Sequence, residues 1–315
     1  MMHTIFEVEL PVQEVLRIRK NTIGEEFAGK SPRLSIVTGV HGDELEGQYI
    51  CYELARRVNE HIECLKGVLD IYPGVNPLGI DITTRLVPKW DVDLNRSFPG
   101  DKEGHMVERM AAAIVEDLIG SDMIIDIHAS DMFVRELPQV RIAKEFSEKL
   151  LPFAKQMNVD MIWMNEADVA HEATLAHTMN MFNVPTLVVE MGLGTRINVE
   201  YGNQVVDGIL NLMSQMGIWQ GVVAKTKLPV VSSDGEVVFI RSSRKGIFIP
   251  RIEHNHYIQQ GEVLGIIVNP YTGETIEEVA SPDEGLVFTL RVNPLVYEGS
   301  LIARLLAHRI DGIGL

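Results

Sequence analysis

The stretch Leu34-Ser35-Ile36-Val37-Thr38-Gly39-Val40-His41-Gly42-Asp43-Glu44-Leu45-Glu46-Gly47 decides how the rest of the chain is read. Leu34 to Val37 is a short apolar run bounded by Pro32 and Gly39, the signature of a buried strand. After Gly47 the chain continues as Gln48-Tyr-Ile-Cys-Tyr-Glu-Leu-Ala-Arg-Arg-Val58, which reads as a helix. His41 and Glu44 therefore fall on a strand-to-helix turn, at the carboxyl end of a strand, where open α/β sheets bind ligands. Zinc accepts an imidazole nitrogen and a carboxylate oxygen, and a catalytic zinc takes three protein ligands while keeping one position open. The turn offers two ligands, so a third must come from elsewhere.

Outward from that turn, residues 1 to about 220 alternate apolar runs with helical patterns. Leu34–Val37, Val68–Ile71, Met123–Ile127, Met161–Trp163 and Thr186–Val189 read as strands. Gly47–Val58, Gly104–Ile119, Ile142–Met157, Ala173–Met181 and Val205–Met216 read as helices. Such alternation predicts an α/β domain with a mostly parallel or mixed sheet flanked by helices. From about residue 224 the helical patterns stop. Short β-like runs are separated by Ser-Ser-Asp-Gly, Gln-Gln-Gly, Tyr-Thr-Gly and Pro-Asp-Glu-Gly, which predicts a small all-β domain. The expected division is 1–222 and 223–315.

The C-terminal part carries a weak internal repeat. Gly246-Ile-Phe-Ile answers Gly285-Leu-Val-Phe, and Ile258-Gln-Gln-Gly261 answers Val296-Tyr-Glu-Gly299. Two similar β units suggest a barrel-sandwich that resembles biotinyl and lipoyl carrier domains. Those domains present a modified lysine between their halves, whereas the connecting stretch Asn269 to Pro282 has no lysine. A folded cap or oligomerisation module is therefore expected rather than a carrier.

Composition narrows the function classes. A chain of 315 residues buries a sizeable core, and 46% hydrophobic with 23% charged residues is ordinary for a globular protein. A net charge of −16 argues against a general nucleic-acid partner. The two cysteines, Cys51 and Cys64, are too few for a disulfide framework. No apolar run approaches 18 residues and no basic segment precedes an apolar one at the start, so a cytoplasmic location without membrane attachment is expected. Assembly into a homo-oligomer is compatible with this composition.

His128 is the favoured third ligand. Met123-Ile-Ile-Asp-Ile-His128 is an apolar strand ending in histidine, again at the carboxyl edge of the sheet. A lone histidine there is most simply a core residue bonded to a carbonyl; beside His41-Gly-Asp-Glu44 the ligand reading gains. Asp93-Leu94-Asn95-Arg96 offers a carboxylate able to orient a ligand histidine, a neutral donor and acceptor, and a planar cationic fork suited to a substrate carboxylate. The same tetrapeptide also fits a capped loop before the turn Ser97-Phe-Pro-Gly100. Glu190 ends the run Val184-Pro-Thr-Leu-Val-Val-Glu190. A carboxylate at a buried strand end is poorly solvated, which lifts its pKa toward the range useful for proton transfer; the plainer reading is a surface salt bridge.

His41-Gly-Asp-Glu44, Asp93-Leu-Asn-Arg96, Asp126-Ile-His128 and Val189-Glu190-Met-Gly, in this order, resemble the succinylglutamate desuccinylase/aspartoacylase family of the zinc carboxypeptidase superfamily. The resemblance spans most of residues 34–194, and the C-terminal β region is similar to that family's second domain. It implies one zinc per chain, held by His41, Glu44 and His128, with Glu190 as general base and then general acid. It further implies that Asn95 and Arg96 bind a substrate carboxylate, and that an arginine polarises the scissile carbonyl, for which Arg85 is the candidate. Aspartoacylase has a substrate-binding arginine shortly before the base; here Thr174 and His177 occupy that region. Arg135 and Arg141, after the third ligand, are the candidates to take its place.

The implied reaction is zinc-dependent hydrolysis of an amide bond in a small N-acylated amino acid or related amine. No covalent nucleophile is required, and no Gly-x-Ser-x-Gly elbow competes for that role. Two other readings stay open at this point. One is a zinc carboxypeptidase acting on peptides; the other is a non-catalytic zinc-containing scaffold, which has no need of a base beside the metal.

Overall fold

The computed structural model describes residues 1–166, 173–233 and 236–307. In the first part of the chain the elements run β1 (Met2–Glu9), β2 (Val15–Ile23), β3 (Arg33–Thr38), α1 (Glu46–Glu60), β4 (Val68–Tyr72), α2 (Pro77–Asp81) and α3 (Met106–Leu118). They continue with β5 (Met123–Ile127), β6 (Val134–Ala143), α4 (Ser147–Ala154), β7 (Met161–Asn165), α5 (Leu175–Met181), β8 (Thr186–Gly192) and α6 (Val199–Gln215). Then come strands alone: β9 (Val230–Ser233), β10 (Val237–Arg241), β11 (Gly246–Pro250), β12 (His256–Ile258), β13 (Val263–Val268), β14 (Thr275–Ala280), β15 (Gly285–Arg291), β16 (Leu295–Val296) and β17 (Leu301–Ala307).

The large sheet is mixed, as the alternating pattern predicts. Its centre is the parallel set β4-β3-β5-β8, flanked by the antiparallel β2 on one side and the antiparallel β6 on the other. Residues on the central strands alternate between two buried faces. Leu34, Ile36, Ile125 and Ile127 pack under α1, α4 and α6 together with Ile50, Leu54, Leu150, Ile209 and Met213. Val37 and Ile124 pack on the other side with Met110 and Ile114 of α3 and Met179 of α5. Burial on both faces is why these strands read as continuous apolar runs rather than as alternating ones.

The C-terminal strands divide between two sheets. β11, β13, β14 and β16 form a separate antiparallel sheet, whereas β15, β17 and β10 extend the large sheet through pairing of β15 with β6. Each half of the internal repeat contributes to both sheets: β11 and β13 of the first and β16 of the second lie in the separate sheet, β12 of the first and β15 and β17 of the second in the large one. Phe248 and Ile267 come from one sheet, Val287, Leu290 and Ile302 from the other, and they fill one core. The turn expected at Ser232-Ser-Asp-Gly235 lies partly outside the described residues.

Three strands escape the sequence patterns. β1 and β2 form an antiparallel hairpin with half-buried, alternating faces that carry many charges. β6 is the more consequential. The helix expected from Ile142 begins only at Ser147, because Val134 to Ala143 is a ten-residue strand buried in the sheet. A register shift between Glu136 and Gln139, around Pro138, interrupts its pairing with β8. Proline has no N–H for the ladder and belongs at such bulges. The remaining helices match their expected positions within a turn, except α6, which starts earlier, at an Asn198 cap whose side chain accepts from Tyr201 N–H at 3.1 Å.

Candidate metal centre and substrate cavity

The strand order β3-β5-β8 builds the site. β3 and β5 are parallel neighbours with Thr38 opposite Ile127, so the turn after β3 and the residue after β5 emerge at the same edge. β5 and β8 are likewise parallel with Ile127 opposite Val189, and His128 N–H donates to the Val189 carbonyl at 2.8 Å. His41 and Glu44, then His128, then Glu190 are therefore delivered side by side at the carboxyl ends of three adjacent strands. Gly42 is required in the first turn: a β-carbon there would collide with the backbone of Gly79.

His41, Glu44 and His128 are all buried, and one ligand atom from each lies within 4.8 Å of the others. His41 Nδ1 is 2.7 Å from Glu44 Oε1, His128 Nδ1 is 2.8 Å from Glu44 Oε2, and the two Nδ1 atoms face each other at 3.3 Å. The opposite nitrogen of each ring meets a carboxylate. His41 Nε2 is 3.2 Å from Asp93 Oδ1, and His128 Nε2 is 3.1 Å from Asp126 Oδ2. With a metal bound, a carboxylate behind each imidazole would keep the proton on Nε2 and leave the Nδ1 lone pair to ligate, the arrangement found around bound metals. Two nitrogens and one carboxylate suit zinc.

The charges around the two rings act in one direction. Burial opposes a charge on His41, but Asp93 and Glu44 outweigh it and lift the ring above the ordinary histidine value. His128 is lifted further, with burial again overcome by Asp126 and Glu44. Burial disfavours the Glu44 carboxylate, yet His128 and His41 hold its pKa down to about 2. The carboxylates of Glu44, Asp93 and Asp126 thus favour positive charge at this place, on the rings or on a metal.

Around the ligands lies a cavity of about 300 Å³. Arg85 reaches it half exposed, with Nη1 3.3 Å from Glu44 Oε1 and Nη2 3.3 Å from Asp93 Oδ2. Asn95 and Arg96 line it as well. Asn95 is buried, and its Oδ1 accepts from Leu175 N–H at 2.9 Å, so it also fixes the start of α5. Glu190 lines the cavity, and burial raises its pKa despite Arg141, whose Nη1 sits 3.3 Å away. Gly192, with φ 63°, turns the chain after Glu190; a β-carbon there would strike the buried Glu46 carboxylate, which accepts from Leu193 and Asn198 N–H.

Arg135 does not join them. It is absent from the cavity lining, and its charge acts on Glu46, Tyr201 and His254 instead. Arg135 and Glu136 point to opposite faces of β6. The bulge that follows changes the parity, so Glu136 and Arg141 share the cavity face; that interruption cannot be counted from an alternation pattern. Of the two candidate arginines of β6, Arg141 lines this cavity and Arg135 does not. Glu136 and Arg304, both lining it, were not singled out by the sequence patterns. The available signal was a charged residue interrupting each apolar strand.

The family model for the succinylglutamate desuccinylase/aspartoacylase catalytic domain matches residues 30–216. The chain belongs to this family. A curated relative, the N-alpha-acetyl-L-2,4-diaminobutyric acid deacetylase of Halomonas elongata, is 23% identical over 91% of this chain and 85% of its own length. Among solved structures, the product-bound ectoine utilization protein EutE (DoeB) of Ruegeria pomeroyi superposes with TM-score 0.81 at 21% identity, covering 96% of this chain and 92% of that one. A metallo-carboxypeptidase from Burkholderia cenocepacia superposes with TM-score 0.54 at 14% identity over 69% of this chain and 64% of its own. The fold is therefore that of the family, related to metallo-carboxypeptidases, and the family's relatives include deacylating hydrolases. No helix among the described residues is long and apolar enough to cross a membrane.

Proposed function

We propose that this protein is a zinc-dependent deacylase that hydrolyses the amide bond of a small N-acylated amino acid or related amine. The observation that carries the reading is the convergence of His41 Nδ1, Glu44 and His128 Nδ1, each imidazole backed by its own carboxylate, with Glu190 on the adjoining strand end. His41, Glu44 and His128 would hold one zinc per chain. Bound there, zinc supplies Lewis acidity, polarising a carbonyl and making water a nucleophile near neutral pH.

The chain's own residues do the rest. Glu190, raised in pKa by burial, takes the proton of the attacking water and returns it to the departing amine. Arg85, at the mouth beside Glu44, stabilises the negative charge that develops on the acyl oxygen as water adds to the carbonyl carbon. Asn95 and Arg96 hold the substrate carboxylate, Arg96 through its exposed fork. Residues 1–222 supply the ligands and the base, and residues 223–315 supply Arg304. The protein acts in the cytoplasm, with small molecules rather than nucleic acid or membrane as partners.

The test is a panel of Nα-acyl amino acids, including Nα-acetyl-L-2,4-diaminobutyrate, N-acetyl-L-aspartate and N-succinyl-L-glutamate, assayed beside short peptides with zinc-loaded and chelator-treated protein. Zinc-dependent release of acid from the acyl amino acids supports the reading. Cleavage of peptides alone would move it to a carboxypeptidase, and no turnover of either class would leave a metal-holding scaffold.

A further inference from the structure

Behind Glu190 lies a buried carboxylate that no step above uses. Glu136 is 1% exposed. Its Oε2 accepts from Arg141 Nη2 at 2.8 Å and from Gln139 Nε2 at 3.2 Å. Its Oε1 accepts from Thr289 Oγ1 at 3.2 Å and from Arg304 Nη1. Thr289 is on β15 and Arg304 on β17, so two of the four donors come from the C-terminal strands. Arg141 stands between the two carboxylates, with one amino group on Glu136 and the other on Glu190. Both guanidinium groups also lie over the Trp163 ring, Arg141 at 5.4 Å and Arg304 at 5.8 Å from its centre.

Charge balance gives this arrangement a function. Two carboxylates, the buried Glu136 and the partly buried Glu190, face two partly buried cations, Arg141 and Arg304. A buried carboxylate without a cation is costly, so each needs its partner. If Arg304 is removed, Glu136 and Glu190 compete for one guanidinium. Glu136 lies nearer to Arg141 and accepts from it at 2.8 Å against 3.3 Å for Glu190, so Arg141 is drawn to Glu136 and away from the base.

We infer that Arg304 of β17 and Glu136 of β6 are positioning residues for the reaction, holding Arg141 against Glu190, and that the C-terminal strands that extend the large sheet complete the active site through this contact. The inference rests on the reading of Glu190 as the base. It assigns the C-terminal strands a part in catalysis that a simple cap does not have.

The experiment is steady-state kinetics of zinc-loaded Arg304→Gln, Glu136→Gln and the double variant, on the acyl amino acid of the panel that the parent turns over best. Each single variant is expected to lose roughly 10–100-fold in kcat, the usual cost of disturbing a group that orients another. KM should stay within about threefold and zinc content should stay equal to that of the parent. Removing both charges together restores the balance, so the double variant should be no worse than the weaker single variant. Arg304→Lys keeps the charge in place and should retain kcat within about threefold, which separates loss of charge from loss of folding. Crystal structures of zinc-loaded Arg304→Gln and its parent, needing no substrate, should show Arg141 turned off Glu190 in the variant only. The inference is overturned if either single variant keeps the parent kcat, if the losses multiply in the double variant, or if Arg141 stays on Glu190 without Arg304. Intact turnover in Glu190→Gln would instead sink the reading of the base, and the two failures are told apart by that variant.

Discussion

The Asp126 carboxylate lies 3.1 Å from Nε2 of His128, two residues on at the end of the same strand. It lies behind the ring whose Nδ1 faces Glu44, and Asp93, within hydrogen-bond distance of His41 Nε2, stands behind the other ring from a different loop. Asp126 is 1% exposed, and among the described residues its carboxylate has no hydrogen-bond partner. Replacing it with asparagine should leave the fold intact and weaken zinc binding about 10–100-fold, the range seen when such partners are removed. Competition against a chelator of known affinity measures it; parental affinity in Asp126→Asn would mean the ring is oriented by packing alone.

Metal stoichiometry follows from the same ligands. About one zinc per chain is expected by elemental analysis, because three donors converge at one place. His128→Ala should lose it. Full zinc content in that variant would remove His128 from the ligand set. Zinc binds the folded chain, so removing it should lower the melting temperature and adding it back should restore it.

Glu190→Gln keeps shape and removes the base. Zinc content should be unchanged while kcat falls roughly 10²–10⁴-fold. Arg85→Gln should cost kcat on the order of 10²–10³-fold with zinc retained, the scale of a lost oxyanion donor. Equal losses in kcat/KM with unchanged kcat would instead show Arg85 to be a binding residue only.

A separate pH dependence lies far from the site. Hydrogen bonds from Arg56 and Arg57 on α1 hold the Glu53 carboxyl at about 2, below the ordinary 4.5. Arg57 in turn bonds Asp207 of α6 at 2.6 Å, so Glu53 braces the α1–α6 contact. A depressed carboxyl stabilises the fold above its unfolded value and loses that contribution as pH falls toward the folded one. The stability difference between the parent and Glu53→Gln should therefore be full near neutral pH and shrink between about 4.5 and about 2. Urea titrations across that range check it; a difference independent of pH would show that the carboxylate charge contributes nothing.

Sequence legibility followed the range of each interaction. The strand-to-helix turn at His41-Gly-Asp-Glu44 and the apolar runs before His128 and Glu190 are local patterns, and strand burial on both faces makes them stand out. The hairpin of β1 and β2 was hidden because charged residues on its half-exposed faces dilute the alternation. β6 was hidden because its end blends into the helical pattern that follows at Ser147.

By itself the sequence determined the α/β class, the change to β structure near residue 224, the family, and the four residue types set at strand ends. Strand order then brought His41, Glu44, His128 and Glu190 to one edge, which no local pattern can dictate. The tertiary structure alone decided which arginine of β6 faces the cavity, because a bulge around Pro138 reverses the side-chain alternation between Arg135 and Arg141. It alone joined Glu136 to Arg304, 168 residues apart in the chain. Buried charges are chosen by the partners that neutralise them, and those partners become neighbours only when distant strands pair.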